Sequence, residues 1–242
     1  MINTVLDKVF INIKKSAVYL LIIITNVLLI TTILYFVKVT ASPFHLPIIY
    51  LISTAVFWIL YKKDNWRENV IPIVIGTVIL IGSIYISSNI YDTTADGNTY
   101  HKLAIGALKN GWNPSYESSR DFSTEKGNVF DVSDDNINAL WVDHYGKATE
   151  IFASVIYAFT SNIESGKAYT ILFMYICFVI IGNYLYTNRK FHFLAALGIA
   201  LVVAFNPITI VQIGNYYVDA TLMMSLFLIL YSCFVICEEN DH

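Results

Sequence analysis

The chain is poor in charge and in cysteine. Asp, Glu, Lys and Arg make up 14% of its 242 residues, against about 25% in an ordinary soluble domain. Together with 56% hydrophobic residues and a mean hydropathy of +0.59, that deficit argues against a water-exposed globular fold. Cys177, Cys233 and Cys237 lie inside apolar runs and form neither a paired framework nor a metal-ligand spacing; buried free thiols are expected. There is no nucleotide-binding glycine loop, zinc-type histidine pair or serine-hydrolase motif, which speaks against a soluble-type enzyme. No internal repeat or low-complexity linker interrupts the chain. The net charge of −3 says little about partners, and no nucleic acid is expected among them.

What the chain has in quantity is apolar length. A helix needs about 20 mainly apolar residues to cross a hydrocarbon core. Residues 17–37, 70–91, 168–186 and 216–237 meet that test, while 46–61 and 191–205 are shorter and span only with help from their flanks. The expected fold is therefore all-α, a multi-pass membrane protein with about six transmembrane helices. Asn206-Pro207 should end the fifth, because proline lacks the amide hydrogen and restricts the residue before it. The first run is too long for a signal-peptide core and lacks a small-residue cleavage pattern, so it reads as a retained helix. Lys8, Lys14 and Lys15, then Lys62, Lys63 and Arg67, then Arg189 and Lys190 flank alternate ends of these runs. By the positive-inside rule they are cytoplasmic. Both termini then lie inside, at the cell membrane, and 92–167 with 206–219 lie outside. The organisation is three helices (1–91), an extracytoplasmic loop (92–166) and three further helices (167–242).

The loop is where chemistry is expected. Tyr100, Leu103, Ala104, Ala107 and Leu108 make one apolar face over 97–110. This predicts a short helix lying along the outer interface, with Lys102 and Lys109 on its wet side. Ile151, Phe152, Val155, Ile156 and Phe159 predict a second over 148–159, and Ser161-Asn-Ile-Glu164 reads as a capping box opening the fourth span. Residues 115–139 have no steady period and read as an irregular surface excursion. Asp131, Asp134 and Asp135 within it lack the glycine and terminal glutamate of a calcium loop and read as a solvated acidic face.

Three motifs resemble membrane glycosyltransferases of the GT-C superfamily, which use polyprenyl-phosphate sugars and include protein mannosyltransferases and aminoarabinose transferases. They are Asp96-Gly-Asn-Thr-Tyr100-His-Lys-Leu-Ala, with Gly111-Trp-Asn-Pro114 ending the following helix; His144-Tyr145-Gly146-Lys147, with Ile163-Glu-Ser-Gly-Lys167 opening the next span; and Asn206-Pro207 with Gln212 and Tyr216-Tyr-Val-Asp219. The resemblance covers roughly residues 70–237. It implies a lipid-linked sugar donor, a glycan, lipid or protein acceptor, the bilayer as a partner, and an outer-face site. Members of the superfamily are longer, so the resemblance implies an N-terminal portion of such an enzyme.

The residues suit that chemistry. Sugar transfer from a lipid phosphate needs a base near the acceptor and positive charge near the departing phosphate. Asp96 is the expected base in an inverting single displacement, and Lys147 the phosphate-binding charge. Tyr100, His144, Tyr145 and Asp219 are expected to bind substrate, and the rings of Tyr100, Trp112, Trp141 and Tyr145 could stack on sugar or polyprenyl. Asp92, four residues before Asp96, could share a magnesium or manganese ion with it through carboxylate oxygens. Each assignment has a plainer competitor: an N-cap for Asp96, a membrane-boundary residue for Asp92, a snorkelling lysine for Lys147, hydrogen-bonded roles for His101 and His144, a helix cap for Asp219, and an interfacial aromatic belt for Tyr100, Trp112, Trp141 and Tyr145. The alternatives to an enzyme are a transporter subunit, with Asp219, Asn206 and Gln212 lining a path, and a non-catalytic membrane scaffold.

Overall fold

A computed structural model describes residues 2–125 and 137–240; Asp131, Asp134 and Asp135 lie outside the described residues. Those described form helices α1 (Ile2–Phe36), α2 (His45–Leu60), α3 (Trp66–Ser88), α4 (Lys102–Lys109), α5 (Ser119–Glu125), α6 (Ile137–His144), α7 (Ala148–Thr160), α8 (Ala168–Thr187), α9 (Phe193–Ala204), α10 (Pro207–Val211) and α11 (Asp219–Asn240), with no strand among them.

Four helices are long and apolar enough to cross a membrane: Asp7–Phe36, Trp66–Ser88, Ile163–Thr187 and Asp219–Glu238. A fifth crossing arises if α9 and the stretch Pro207–Gly214 count as one, bent by 56°. The bend has the expected cause. Helix α9 stops at Ala204, and the Asn206 side chain caps α10 by accepting from the amides of Ile208 (3.0 Å) and Thr209 (3.2 Å), with Pro207 at the first helical position. Helix α2 has 16 residues; at about 1.5 Å per residue it falls short of a core about 30 Å thick.

Helix α1 is the axis of the bundle. Along it Ser16 meets Tyr175 of α8 (2.7 Å), Tyr19 meets Thr54 of α2 (2.8 Å) and the Asn26 amide donates to Ser53 of α2 (3.0 Å), while Tyr50 of α2 meets Thr77 of α3 (2.8 Å). Lipid offers apolar side chains no drive to associate, so such hydrogen bonds and close packing decide which faces meet. Packing is closest where Gly76 of α3 lies over the Tyr19 ring: a β-carbon there would stand 2.7 Å from Tyr19 Cδ1. The faces turned away carry exposed Leu51, Ile59, Val78, Ile81, Val202 and Leu230, as a lipid-facing surface must. Cys177 is buried, but Cys233 and Cys237 are on that outer surface, correcting the expectation of three buried thiols.

The two ends of the bundle differ. At one, Lys15 pairs with Asp64 (2.7 Å) and Phe10 stacks on Tyr186 (4.6 Å), so the start of α1 and the basic turns after α2 and α8 gather together. At the other, Asn113 donates to the Tyr35 carbonyl (2.8 Å) and Tyr116 to that of Phe36 (2.6 Å), holding the segment after α4 against the end of α1. Trp112 is fully buried there among Tyr35, Leu108, Phe122 and Val142, with its indole donating to the Glu117 carbonyl. It is core, and neither a belt residue nor a sugar platform.

Helices α4 and α7 also differ from their expected interfacial setting. Residues 104–108 are all buried, and α7 buries eight residues including Glu150; only Phe159, at its far end, leaves the face assigned to it and is exposed. Protein covers these helices where lipid and water were expected. The cap opening the fourth span is shifted by one residue. Ser161 has φ 57° and ends α7, whereas Asn162 accepts from the Glu164 amide (3.0 Å).

Candidate functional site

Asp92 organises the loop leading to Asp96. One carboxylate oxygen accepts from both the amide (2.8 Å) and the hydroxyl (2.7 Å) of Thr94, which makes an Asx-type turn. The other accepts from the Tyr216 amide (2.9 Å), joining two segments 124 residues apart. The Thr94 hydroxyl in turn accepts from the Gly97 amide (3.2 Å), and the Asn98 side chain donates back to the Asp92 and Thr94 carbonyls. The chain then enters helix through a π-helical turn, Gly97–His101, of a kind that often marks functional sites.

Beneath this turn is a buried charge cluster. Glu164 accepts from Lys102 and from Lys167, each at 2.5 Å, and from the Asp92 amide at 3.2 Å. Lys167, with none of its side chain exposed, also donates to the carbonyls of Ile90 and Gly214. Lys102 is not on a wet face, as the helical pattern suggested: it crosses to Glu164 and lies over the Tyr91 ring (4.3 Å). One carboxylate, Glu164, thus bridges two ammonium groups and pins the entry to α8 against the loops at 90–98 and 214–216.

Above the cluster, aromatic rings converge. Tyr100 lies 5.6 Å from Tyr145 and 6.2 Å from Trp141, and His101 meets Tyr145 edge-on at 5.3 Å. The His101 Nδ1 is 3.0 Å from Glu150 Oε1, both side chains being buried. Burial raises the Tyr100 pKa, with Asp96 next in effect, and burial followed by the charges of Asp219, Glu150 and Asp96 raises that of Tyr145. Both phenols therefore stay protonated and able to donate at neutral pH. Asp96 is half-buried in right-handed helical conformation and makes no capping bond, so the competing reading of it as an N-cap does not hold.

Lys147 is half-buried, and its ammonium donates to the Tyr145 carbonyl at 2.5 Å. Desolvation lowers its pKa against the opposing pull of Glu150 and Asp143. Asp219 is exposed at the first residue of α11, where Gln212 holds it: the amide nitrogen of Gln212 faces the carboxylate at 3.3 Å and its oxygen accepts from the Ala220 amide at 2.8 Å. His144 is exposed at the end of α6.

Tyr100 and Tyr145 are thus brought together within electrostatic reach of Asp96 and Asp219, and Lys147 is joined to them through the Tyr145 backbone. His144 faces solvent. Asp92 stands apart in role, because both of its oxygens are occupied by N–H and O–H donors and it is fully buried. Such a carboxylate does not fit a shared magnesium or manganese site with Asp96, and among the described residues no three His, Cys, Asp or Glu side chains are grouped to hold a metal. Glu164, Lys167 and Lys102, expected as a cap, the opening of a span and a wet-face lysine, instead form the charge cluster, and Glu150 was not singled out in the sequence. A Glu and a Lys three residues apart at a helix start signal a pair, and Glu150 in an otherwise apolar face signals a buried partner. Replacing Glu150 by Gln should loosen Tyr145 and lower the thermal midpoint, since losing one partner of a buried hydrogen-bonded charge costs about 1–3 kcal/mol; an unchanged midpoint would show the pair with His101 to be idle. Comparison of the chain with protein-family models, curated proteins and solved structures finds no match in any of the three.

Proposed function

We propose that the chain acts as a GT-C-type membrane glycosyltransferase, moving a sugar from a polyprenyl-phosphate donor to a glycan, lipid or protein acceptor on the outer side of the cell membrane. In this reading short α2 and bent α9–α10 bring the membrane segments to six, and the basic end of the bundle is cytoplasmic. The supporting observation is the approach of Tyr100 to Tyr145, within electrostatic reach of Asp96 and Asp219, at the end away from the basic turns.

Asp96 takes the proton of the acceptor hydroxyl or amine as that nucleophile attacks the anomeric carbon opposite the phosphate. The bond from that carbon to the phosphate oxygen breaks, and polyprenyl phosphate leaves with its electron pair. The Lys147 ammonium faces the phosphate, and the Tyr100 and Tyr145 phenols donate to sugar oxygens. No step uses a metal.

Sugar transfer from a defined polyprenyl-phosphate donor in proteoliposomes tests this. Asp96→Asn should lower kcat by about 10²–10⁴-fold, the worth of a positioned base, while donor still binds. Transfer at the wild-type rate would remove the base and leave a scaffold as the better reading. Lys147 supplies a pH test. Its folded pKa lies below the usual value of about 10.4, so its charge is complete at low pH and lost as pH rises through that lowered value. Donor affinity should fall on the alkaline side earlier than an ordinary lysine allows, and Lys147→Arg should abolish that fall. An alkaline limb that persists in the arginine variant would show that another group titrates.

A further inference from the structure

At the basic end of the bundle, far from Asp96, α1, α8 and α9 leave two recesses. One is a cavity of about 200 Å³ with walls that are apolar except for Asn183: Val9, Phe10 and Ile13 of α1 face Phe178 and Gly182 of α8 and Ala196 of α9. The other is lined by Asp7, Ile11, Tyr186, Thr187, Lys190 and Phe191. An aromatic wall divides them, with Phe10 on the cavity side stacked on Tyr186 of the recess (4.6 Å, 19° between planes) and closed edge-on by Phe193 (5.8 Å).

The recess holds one carboxylate and one ammonium group, and neither is in an ion pair with the described residues. Two other charges at this end are paired, Lys15 with Asp64 and Arg189 with Glu238. Lys190 is exposed at a φ of 56°, a conformation disfavoured for a residue with a β-carbon, and the turn holds it at the rim. A dry cavity beside a recess with both signs of charge, at the end of membrane-crossing helices, has the chemistry of a phospholipid with a positive and a negative headgroup charge. A purely anionic headgroup would meet Lys190 but be repelled by Asp7, and a trimethylated one has no N–H to give that carboxylate.

We propose that the two recesses together bind one zwitterionic aminophospholipid, with its phosphate at Lys190, its primary ammonium at Asp7 and an acyl segment in the cavity between Phe10, Phe178 and Ala196. The site is independent of the transferase reading and of Asp96.

Native mass spectrometry of the full chain released from nanodiscs of defined composition tests it. With phosphatidylethanolamine, phosphatidylglycerol and phosphatidylcholine in equal amounts, one phosphatidylethanolamine should be retained in preference to the other two. Lys190→Gln and Asp7→Asn, both at exposed positions that the fold does not need, should each lower that retention about tenfold, as expected for one charge-assisted contact. Ala196→Phe, which fills the cavity, should lower retention of all three lipids. Equal retention of the three lipids, a preference for phosphatidylglycerol, or wild-type retention in both charge variants would overturn the proposal.

Discussion

Replacing Glu164 by Ala should be the most damaging single change in this protein. Glu164 lies between Lys102 and Lys167 at 2.5 Å from each, with side-chain exposures of 9% for the glutamate and 12% and 0% for the lysines. Its removal leaves two buried ammonium groups without a counter-charge, and the Asp92 amide without its acceptor. Breaking a buried pair from one side costs about 3–5 kcal/mol, much of it the desolvation of the charge left behind. At about 2–4 °C per kcal/mol for a chain of this size, the thermal midpoint in detergent or nanodiscs should fall by on the order of 10 °C. Replacing Lys102 and Lys167 by Met as well should recover part of the loss, since volume-matched apolar side chains often substitute for a buried ion pair. If Glu164→Ala alone left the midpoint unchanged, the cluster would be hydrated and its role as the clamp between the loop at 90–98 and α8 would fall.

Gly97→Ala should come close behind, for a steric reason. A β-carbon on Gly97 would lie 2.0 Å from Asp92 Oδ2, 2.6 Å from its Cγ and 2.7 Å from the Thr94 hydroxyl. These atoms are not free to retreat, because the same carboxylate is held by Thr94 and by the Tyr216 amide. Overpacking a tight site costs about 1–3 kcal/mol and sometimes more, and here the added methyl also forces open the bond between Asp92 and Tyr216. Under the proposed transferase reading, sugar transfer should fall together with stability, since Asp96 directly precedes the displaced residue. Asp92→Ala is expected to lower stability on its own yet to relieve the clash when combined with Gly97→Ala, so that the two effects do not add. Strict additivity in that double-mutant cycle would mean the two residues are not packed as described.

Much of the architecture was legible from apolar run length. The helices at 66–88, 163–187 and 219–238 fall close to the expected runs, and the break at Asn206-Pro207 is where proline chemistry puts it. Helix α7 begins at Ala148 as its periodicity predicts. The face assignments were less secure, for a definite reason. A period of 3.6 tells which residues share a face but not what covers it, so Lys102 was given to water and in fact reaches Glu164 across 62 residues. Trp112, read equally as a stacking platform or an interfacial belt residue, is core, because the contacts that bury it come from distant segments.

The candidate site divides in the same way. Sequence by itself determined the class of protein, an all-α chain with apolar helices of membrane-crossing length, because burying backbone in lipid demands long uninterrupted apolar helices and this requirement is written in consecutive residues. It also singled out the loop containing Asp96, Tyr100, Tyr145 and Lys147 as the place where polar chemistry is concentrated. Only the tertiary structure decided which of two neighbouring aspartates is structural. Asp92 and Asp96 look alike in sequence, yet the Tyr216 amide, more than a hundred residues away, binds one and the Tyr100 phenol faces the other. Hydrogen bonds between distant segments set the role of a carboxylate, and no local pattern carries them.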